Sequence, residues 1–185
     1  MNANSGFSFR RFFAKVSLIG FGSSLFVHLI ACLGLNVTDN FPFVWLLHLG
    51  IFVVFIPMEI SIMLEKGNAS DEGISYDLVS SIPRKSRYIA GFFFVYMLLN
   101  FILFFAQSYE GSPETKNGKY VLYSNGKASQ RYIIRELSEA EYNLRQAQIL
   151  RGFSGHWMFF YLLPTLHFNY FGRQNKSNYL KKNNE

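Results

Sequence analysis

Uncharged residues run without a break from Val16 to Thr38, and three more apolar stretches follow, Phe43 to Leu64, Tyr88 to Tyr109 and Gly152 to Phe171. Each approaches or exceeds the roughly 20 residues that a helix needs to cross the hydrocarbon core of a bilayer. The pattern predicts an all-α membrane protein, a four-transmembrane-helix bundle with spans at about 16–38, 43–64, 88–109 and 152–171. The link from Asn36 to Pro42 is short, so the first two spans should form an antiparallel pair. The first span carries Gly20, Gly22, Ser23 and Ser24, small side chains that let another helix backbone approach closely in lipid.

Between the spans the pattern changes. Glu65 to Arg87 is polar, acidic at first (Asp71, Glu72, Asp77) and basic at its end (Arg84, Lys85, Arg87), and reads as a loop with one helical turn. The stretch 110–151 is the one polar segment long enough for structure of its own. Lys119 to Ser124 and Lys127 to Ile134 are β-prone runs separated by Asn125-Gly126, a pair that tolerates the positive φ angles of a tight turn, so a β-hairpin is expected there. A lone hairpin is barely stable in water. It must lean on the following helix, the membrane surface or another protein.

That helix should start at Ser138, where serine followed three residues later by Glu141 forms a capping box. Glu141 and Arg145 then stand one turn apart, and Leu137, Ala140, Leu144 and Ala147 give an apolar stripe. No proline intervenes before Gly152, so one helix should run from the polar segment into the fourth span, with a bend at Pro164. The tail from Arg173, rich in asparagine and lysine, reads as disordered.

Composition narrows the class. Of 185 residues, 50% are hydrophobic and 18% aromatic, beyond the range of an ordinary soluble domain. The net charge of +6 comes from residues flanking the apolar runs, where they meet lipid headgroups, so no nucleic-acid partner is expected. One cysteine, Cys32, rules out an intramolecular disulfide and a Cys-based zinc site within one chain. Leu29-Ile30-Ala31-Cys32 resembles a lipoprotein cleavage site, but the apolar run continues past the cysteine and more spans follow, which favours a retained helix.

Lysine and arginine set orientation. The N-terminal tail holds three, the first loop none, the second loop four and the C-terminal tail four, whereas the seven of the third loop sit in a segment long enough to be translocated. Both termini are expected in the cytoplasm, with the hairpin and helix outside the plasma (inner) membrane.

All four histidines lie inside the spans, and none in the polar loops. A polar ring in hydrocarbon needs a partner, so His28, His48, His156 and His167, with Glu59 and Asn100, form the candidate intramembrane polar site. By helical rise His28, His48, His156 and Asn100 fall toward the outer side, and His167 and Glu59 toward the inner. Asn100 is expected to bond a neighbouring helix. Three readings stay open: bundle-holding hydrogen bonds; a haem or metal held by His28 and His48; and a proton or solute path through Glu59 and His167, with Pro57 and Pro164 loosening the helices. No metal-binding or nucleotide-binding spacing supports a cofactor, so none is assigned, and haem stays with the second reading. Ser154 and His156 do not face each other well on one helix, so a hydrolytic pair is not supported. Gly152, Ser154 and Gly155 read as a tight helix contact, with Trp157 as an interfacial anchor.

The functional expectation is a non-enzymatic accessory or assembly subunit of a membrane complex. Its partners would be the bilayer and a membrane protein or a second copy of the chain, met through Asn125, Gly126, Glu141, Arg145 and Arg151. The alternative is a redox or ion- or proton-handling protein that uses the intramembrane residues.

Overall fold

The structure, a computed structural model, describes residues 3–66, 81–126 and 130–170. In chain order these form α1 (Ala3–Cys32), a 3-10 turn (Pro42–Trp45), α2 (Leu46–Lys66), α3 (Arg84–Ser108), β1 (Ser112–Lys116), β2 (Lys119–Tyr123), β3 (Ile133–Glu136) and α4 (Glu139–Tyr170). The middle of the second loop, the start of the second β-prone run at Lys127 and the C-terminal tail lie outside the described residues.

Three segments are long and apolar enough to cross a membrane: Ser8–Cys32, Pro42–Leu64 and Arg84–Ser108. The chain is an integral membrane protein on that evidence. The fourth long helix, α4, does not share their apolar character, because Ser154, His156, Pro164, Thr165, His167 and Asn169 interrupt it. Packing accounts for the difference. α4 touches each of the other three helices, most extensively α1, and most of its residues from Leu150 to Phe168 are buried. By contrast α2 and α3 present large apolar side chains outward. A helix sheathed by protein can carry polar groups, provided its neighbours supply hydrogen bonds.

The face that α1 turns toward α4 is made of small and polar residues. Ala14, Ser17, Ser24, His28 and Ala31 are all buried, at steps of three, four and seven, while Leu18, Ile19, Phe26 and Leu29 point away. In lipid this inversion is expected, since small side chains give close backbone approach and the bulky ones meet acyl chains. The helix begins well before the anticipated span start at residue 16. Phe9 and Phe13 contact the Phe168 ring, and the Arg10 guanidinium donates to the His167 carbonyl at 3.2 Å, near the end of α4. A cation there meets the negative end of the helix dipole.

α1 ends at Cys32, six residues before the apolar run does. Gly34 has φ of +76°, its amide donates to the Ala31 carbonyl at 3.0 Å, and the Leu35 amide donates to Ile30 at 3.4 Å. This is a Schellman ending, and glycine is the residue that adopts its left-handed turn without a Cβ penalty.

The polar segment forms a three-stranded antiparallel sheet in the order β1-β2-β3, not a two-stranded hairpin. Its tight turn is Asn117-Gly118, with φ of 51° and 77°, closing the Lys116–Lys119 pair. Both central residues have positive φ, as a type I′ hairpin turn requires. Asn125-Gly126, the expected turn, instead lies in the longer connection from β2 to β3. The side chain of Asn125 donates to the Ser108 carbonyl and accepts from the Ser112 hydroxyl at 3.2 Å, fastening the end of α3 to the sheet.

The sheet leans on the helix that follows. Leu122, Leu137 and Tyr142 form a small core, and Tyr120 stacks on Tyr142 with ring centres 4.3 Å apart. Tyr142 and Leu150 therefore join Leu137 and Ala147 on the buried face, while Ala140 and Leu144 of the expected stripe are exposed, because the sheet covers a different side of the helix. The Glu141 amide donates to Ser138 Oγ at 3.2 Å, which is one half of the capping box. The other half is absent, since the Glu141 carboxylate pairs with Arg135 and Arg145.

The bonds from Arg135, and then Arg145, hold the Glu141 carboxyl at about 2, below its ordinary 4.5. A depressed carboxylate stabilises the fold above the unfolded value and loses that contribution as pH falls through the folded one. Thermal unfolding should therefore lose this contribution between about pH 4.5 and pH 2, more at low salt than at high. Glu141→Gln should remove the corresponding part of the acid-side slope, and an identical slope in both proteins would refute the assignment.

Candidate functional site

The polar groups that the spans carry converge on α4, which receives a bond from each surrounding helix. Nearest the sheet, Arg151 donates to Gln107 Oε1 of α3 at 3.0 Å. Next to it His28 of α1 joins three helices, with Nδ1 2.9 Å from Ser154 Oγ on α4 and Nε2 2.6 Å from the Tyr96 hydroxyl on α3.

Each ring nitrogen of His28 is thus engaged by a hydroxyl, and which nitrogen carries the proton depends on the tautomer. Ser154 Oγ also lies 3.3 Å from the Arg151 carbonyl one turn back, and Cys32 Sγ lies 3.5 Å from His28 Nε2. Ser154 and His28 stand at the separation of a nucleophile and its base, but both side chains are buried, Ser154 completely.

One level further along, the Trp157 indole donates to His48 Nδ1 of α2 at 2.9 Å. Trp157 is fully buried and so serves as an interhelical donor, not as an interfacial anchor. Indole nitrogen only donates, so neutral His48 keeps its proton on Nε2 and its lone pair is engaged. His156 lies against His48 with ring centres 5.9 Å apart and packs on Phe101, Phe153 and Phe160. The Tyr161 hydroxyl donates to the Leu47 carbonyl at 2.8 Å. Toward the end of α4, His167 Nε2 is 3.1 Å from Ser61 Oγ of α2.

The anticipated grouping is thus partly redrawn. His48 and His156 are brought together, whereas His28 has Ser154 and Tyr96 for partners. Among the described residues Asn100 bonds no neighbouring helix: its amide donates to the Tyr96 carbonyl one turn back, at 2.9 Å. Its side chain instead covers Gly155, where an added Cβ would stand 3.1 Å from it, and Phe104 covers Gly152 in the same way. The tight contact expected at Gly152 and Gly155 is therefore the seam between α3 and α4. Glu59 is exposed on α2 and makes no hydrogen bond or ion pair among the described residues, so it does not meet His167. The helices run unbroken through Pro57 and Pro164.

Tyr96, Ser61 and Tyr161 are the participants that hydropathy did not single out. Tyr96 had a usable signal, since Tyr96, Asn100 and Phe104 recur every four residues along one face of an otherwise aliphatic and aromatic span. Of the residues expected at an interface, Arg145 is held by Glu110 at 2.6 Å and by Glu141, Arg151 by Gln107 and Asn125 by Ser108, while Gly126 is exposed. No group of three histidine, cysteine, aspartate or glutamate side chains converges as a metal site among the described residues. No family model matches the chain, and no similarity to a curated protein or a solved structure is detected.

Proposed function

We propose that α4 also crosses the bilayer, sheathed by α1, α2 and α3, and that the protein is a non-enzymatic accessory or assembly subunit whose sheet docks on a partner membrane protein. The observation that carries this reading is the free edge of the sheet. All four residues of β3 are exposed, and Tyr132, Ile133 and Ile134 are 66%, 42% and 43% accessible. Among the described residues β3 pairs with β2 alone, and its apolar half, Ile133 and Ile134 after Tyr132, precedes the ion-paired Arg135 and Glu136; such an edge is a template for another strand. Against a haem or metal held by His28 and His48, both ring nitrogens of His28 are already engaged by Ser154 and Tyr96, and His48 Nδ1 by Trp157, so such a group would first have to release them.

The test is purification of the tagged full-length chain from its native membrane, beside an Ile133→Lys variant. Surface changes of this kind usually move stability by less than about 0.5 kcal/mol. One partner at fixed ratio, lost in the variant at unchanged melting temperature, is expected. A chain that comes out alone, or a partner indifferent to Ile133→Lys, would count against docking at β3.

A further inference from the structure

Where α3 ends and the sheet begins, a cavity of about 1070 Å³ opens between α3, the sheet and α4. Its lining changes character along one direction. Phe104 and Phe105, in the last turns of a helix apolar enough to cross the membrane, and Ile149 of α4 make its apolar part. Glu110, Arg145 and Gln148 supply its polar part, beside strand residues that lie beyond the end of that helix. A cavity that begins at the boundary of a spanning segment and turns polar beyond it matches a molecule with an acyl chain and a polar head. The bilayer presents such molecules at this depth.

The charges select among them. Arg145 is paired with Glu110 at 2.6 Å and with Glu141, and Arg135 is the second partner of Glu141. Among the described lining residues the charged side chains are Glu110 and Arg145, one of each sign, so a headgroup of net charge would leave one of them without a counterion. A zwitterionic headgroup can exchange partners one for one. The Glu110 side chain is 64% accessible and can take a primary ammonium, while Arg145, 16% accessible and facing the cavity, presents the planar donors that suit a phosphate.

We infer that this cavity binds one glycerophospholipid with a phosphoethanolamine headgroup, phosphate on Arg145 and ammonium on Glu110, with an acyl chain along Phe104, Phe105 and Ile149. The site needs no protein partner; Tyr132 and Ile134 of its lining also belong to the edge proposed for docking, whereas Glu110 and Ile149, the residues its test changes, do not.

The experiment is native mass spectrometry of the full-length, delipidated protein in mild detergent, offered equal amounts of phosphatidylethanolamine and phosphatidylglycerol. A single phosphatidylethanolamine adduct favoured at least about five-fold, roughly 1 kcal/mol, is expected. Glu110→Gln should bring the two lipids near parity, and Ile149→Trp, which fills the apolar part, should weaken both. Glu110 is exposed, so its variant reports even if Ile149→Trp fails to fold. Equal retention of the two lipids, or a preference untouched by Glu110→Gln, would mean ordinary annular lipid and overturn the site. Glycerophosphoethanolamine, the headgroup without chains, should bind at least ten-fold more weakly, and equal binding would overturn the acyl-chain assignment.

Discussion

Gly20→Leu is expected to cost more than any other single change in the bundle, about 3 kcal/mol or more, and to sharply reduce recovery of monodisperse protein. A Cβ on Gly20 would stand 2.2 Å from Cε1 of the Tyr161 ring and 2.4 Å from Cδ1, far inside van der Waals contact. The ring has nowhere to retreat. On its α2 side a Cβ on Gly50 would stand 2.3 Å from the Tyr161 hydroxyl, and that hydroxyl is bonded to the Leu47 carbonyl. Tyr161 is thus a wedge of α4 driven between two glycines, and a larger residue at either must push a helix away. Insertions into a packed core usually cost about 1–3 kcal/mol, and a pinned ring places this one at the upper end or beyond. Gly22→Leu provides the control, since nothing lies within 4 Å of a Cβ there. Thermal unfolding in detergent should separate the two variants clearly, and adding Tyr161→Ala should recover part of the loss in Gly20→Leu. Equal melting of Gly20→Leu and Gly22→Leu would show that the wedge is not what holds α1, α2 and α4 together.

His28→Leu is expected to have the second largest effect, about 2 kcal/mol. The change removes the hydrogen-bond partner that the Tyr96 and Ser154 hydroxyls share, leaving one half-buried and one fully buried oxygen short of a partner. An unsatisfied buried group costs about 1–3 kcal/mol in soluble proteins, while single interhelical bonds in membranes average nearer 0.6. Two bonds at one three-helix junction lie between those limits. If the cost is that of orphaned partners, adding Tyr96→Phe and Ser154→Ala to His28→Leu should restore stability, because replacing all members by apolar groups can be nearly neutral. A triple variant no more stable than His28→Leu would assign the loss to the shape of the imidazole and not to its bonds.

The elements differ in how legible they were, for reasons that lie in particular residues. The start of α4 is written locally, in Ser138 and Glu141, and the structure has the helix there. The hairpin turn was also written locally, but twice. Asn125-Gly126 is followed by a β-prone run, whereas Asn117-Gly118 is preceded by Ser-Pro-Glu-Thr-Lys, which has poor strand propensity. Pro113 sits in β1 because that is an edge strand, where a missing amide hydrogen need not break the ladder. Propensity pointed to one pair, and the sheet's edge made the other the turn. At the C-terminal end of α1 the apolar run overshoots the helix, since hydropathy senses lipid compatibility and not the left-handed turn at Gly34.

The candidate site was legible as an inventory and not as an arrangement. His28, His48, His156, His167 and Asn100 could be named because polar groups stand out in apolar runs. Which of them meet could not be read, because every position around those helices is apolar or small and the periodicity that marks a buried face in water is missing. His28 finds Ser154 across 126 positions of sequence, and Trp157 finds His48 across 109.

By itself, then, the sequence determined that this is a membrane protein, where its long helices lie, that a structured polar segment separates the last two, and that the apolar segments hold polar side chains in need of partners. These follow from hydrophobic length and local capping, which act over a few residues. Only the tertiary structure decided that α4 is the innermost helix, that Tyr161 wedges between Gly20 and Gly50, and that His28, His48 and His167 have their particular hydrogen-bond partners. In lipid the outer face of a helix is as apolar as its packed face, so lateral orientation comes from close packing and hydrogen bonding between distant segments, and these exist only once the helices have met.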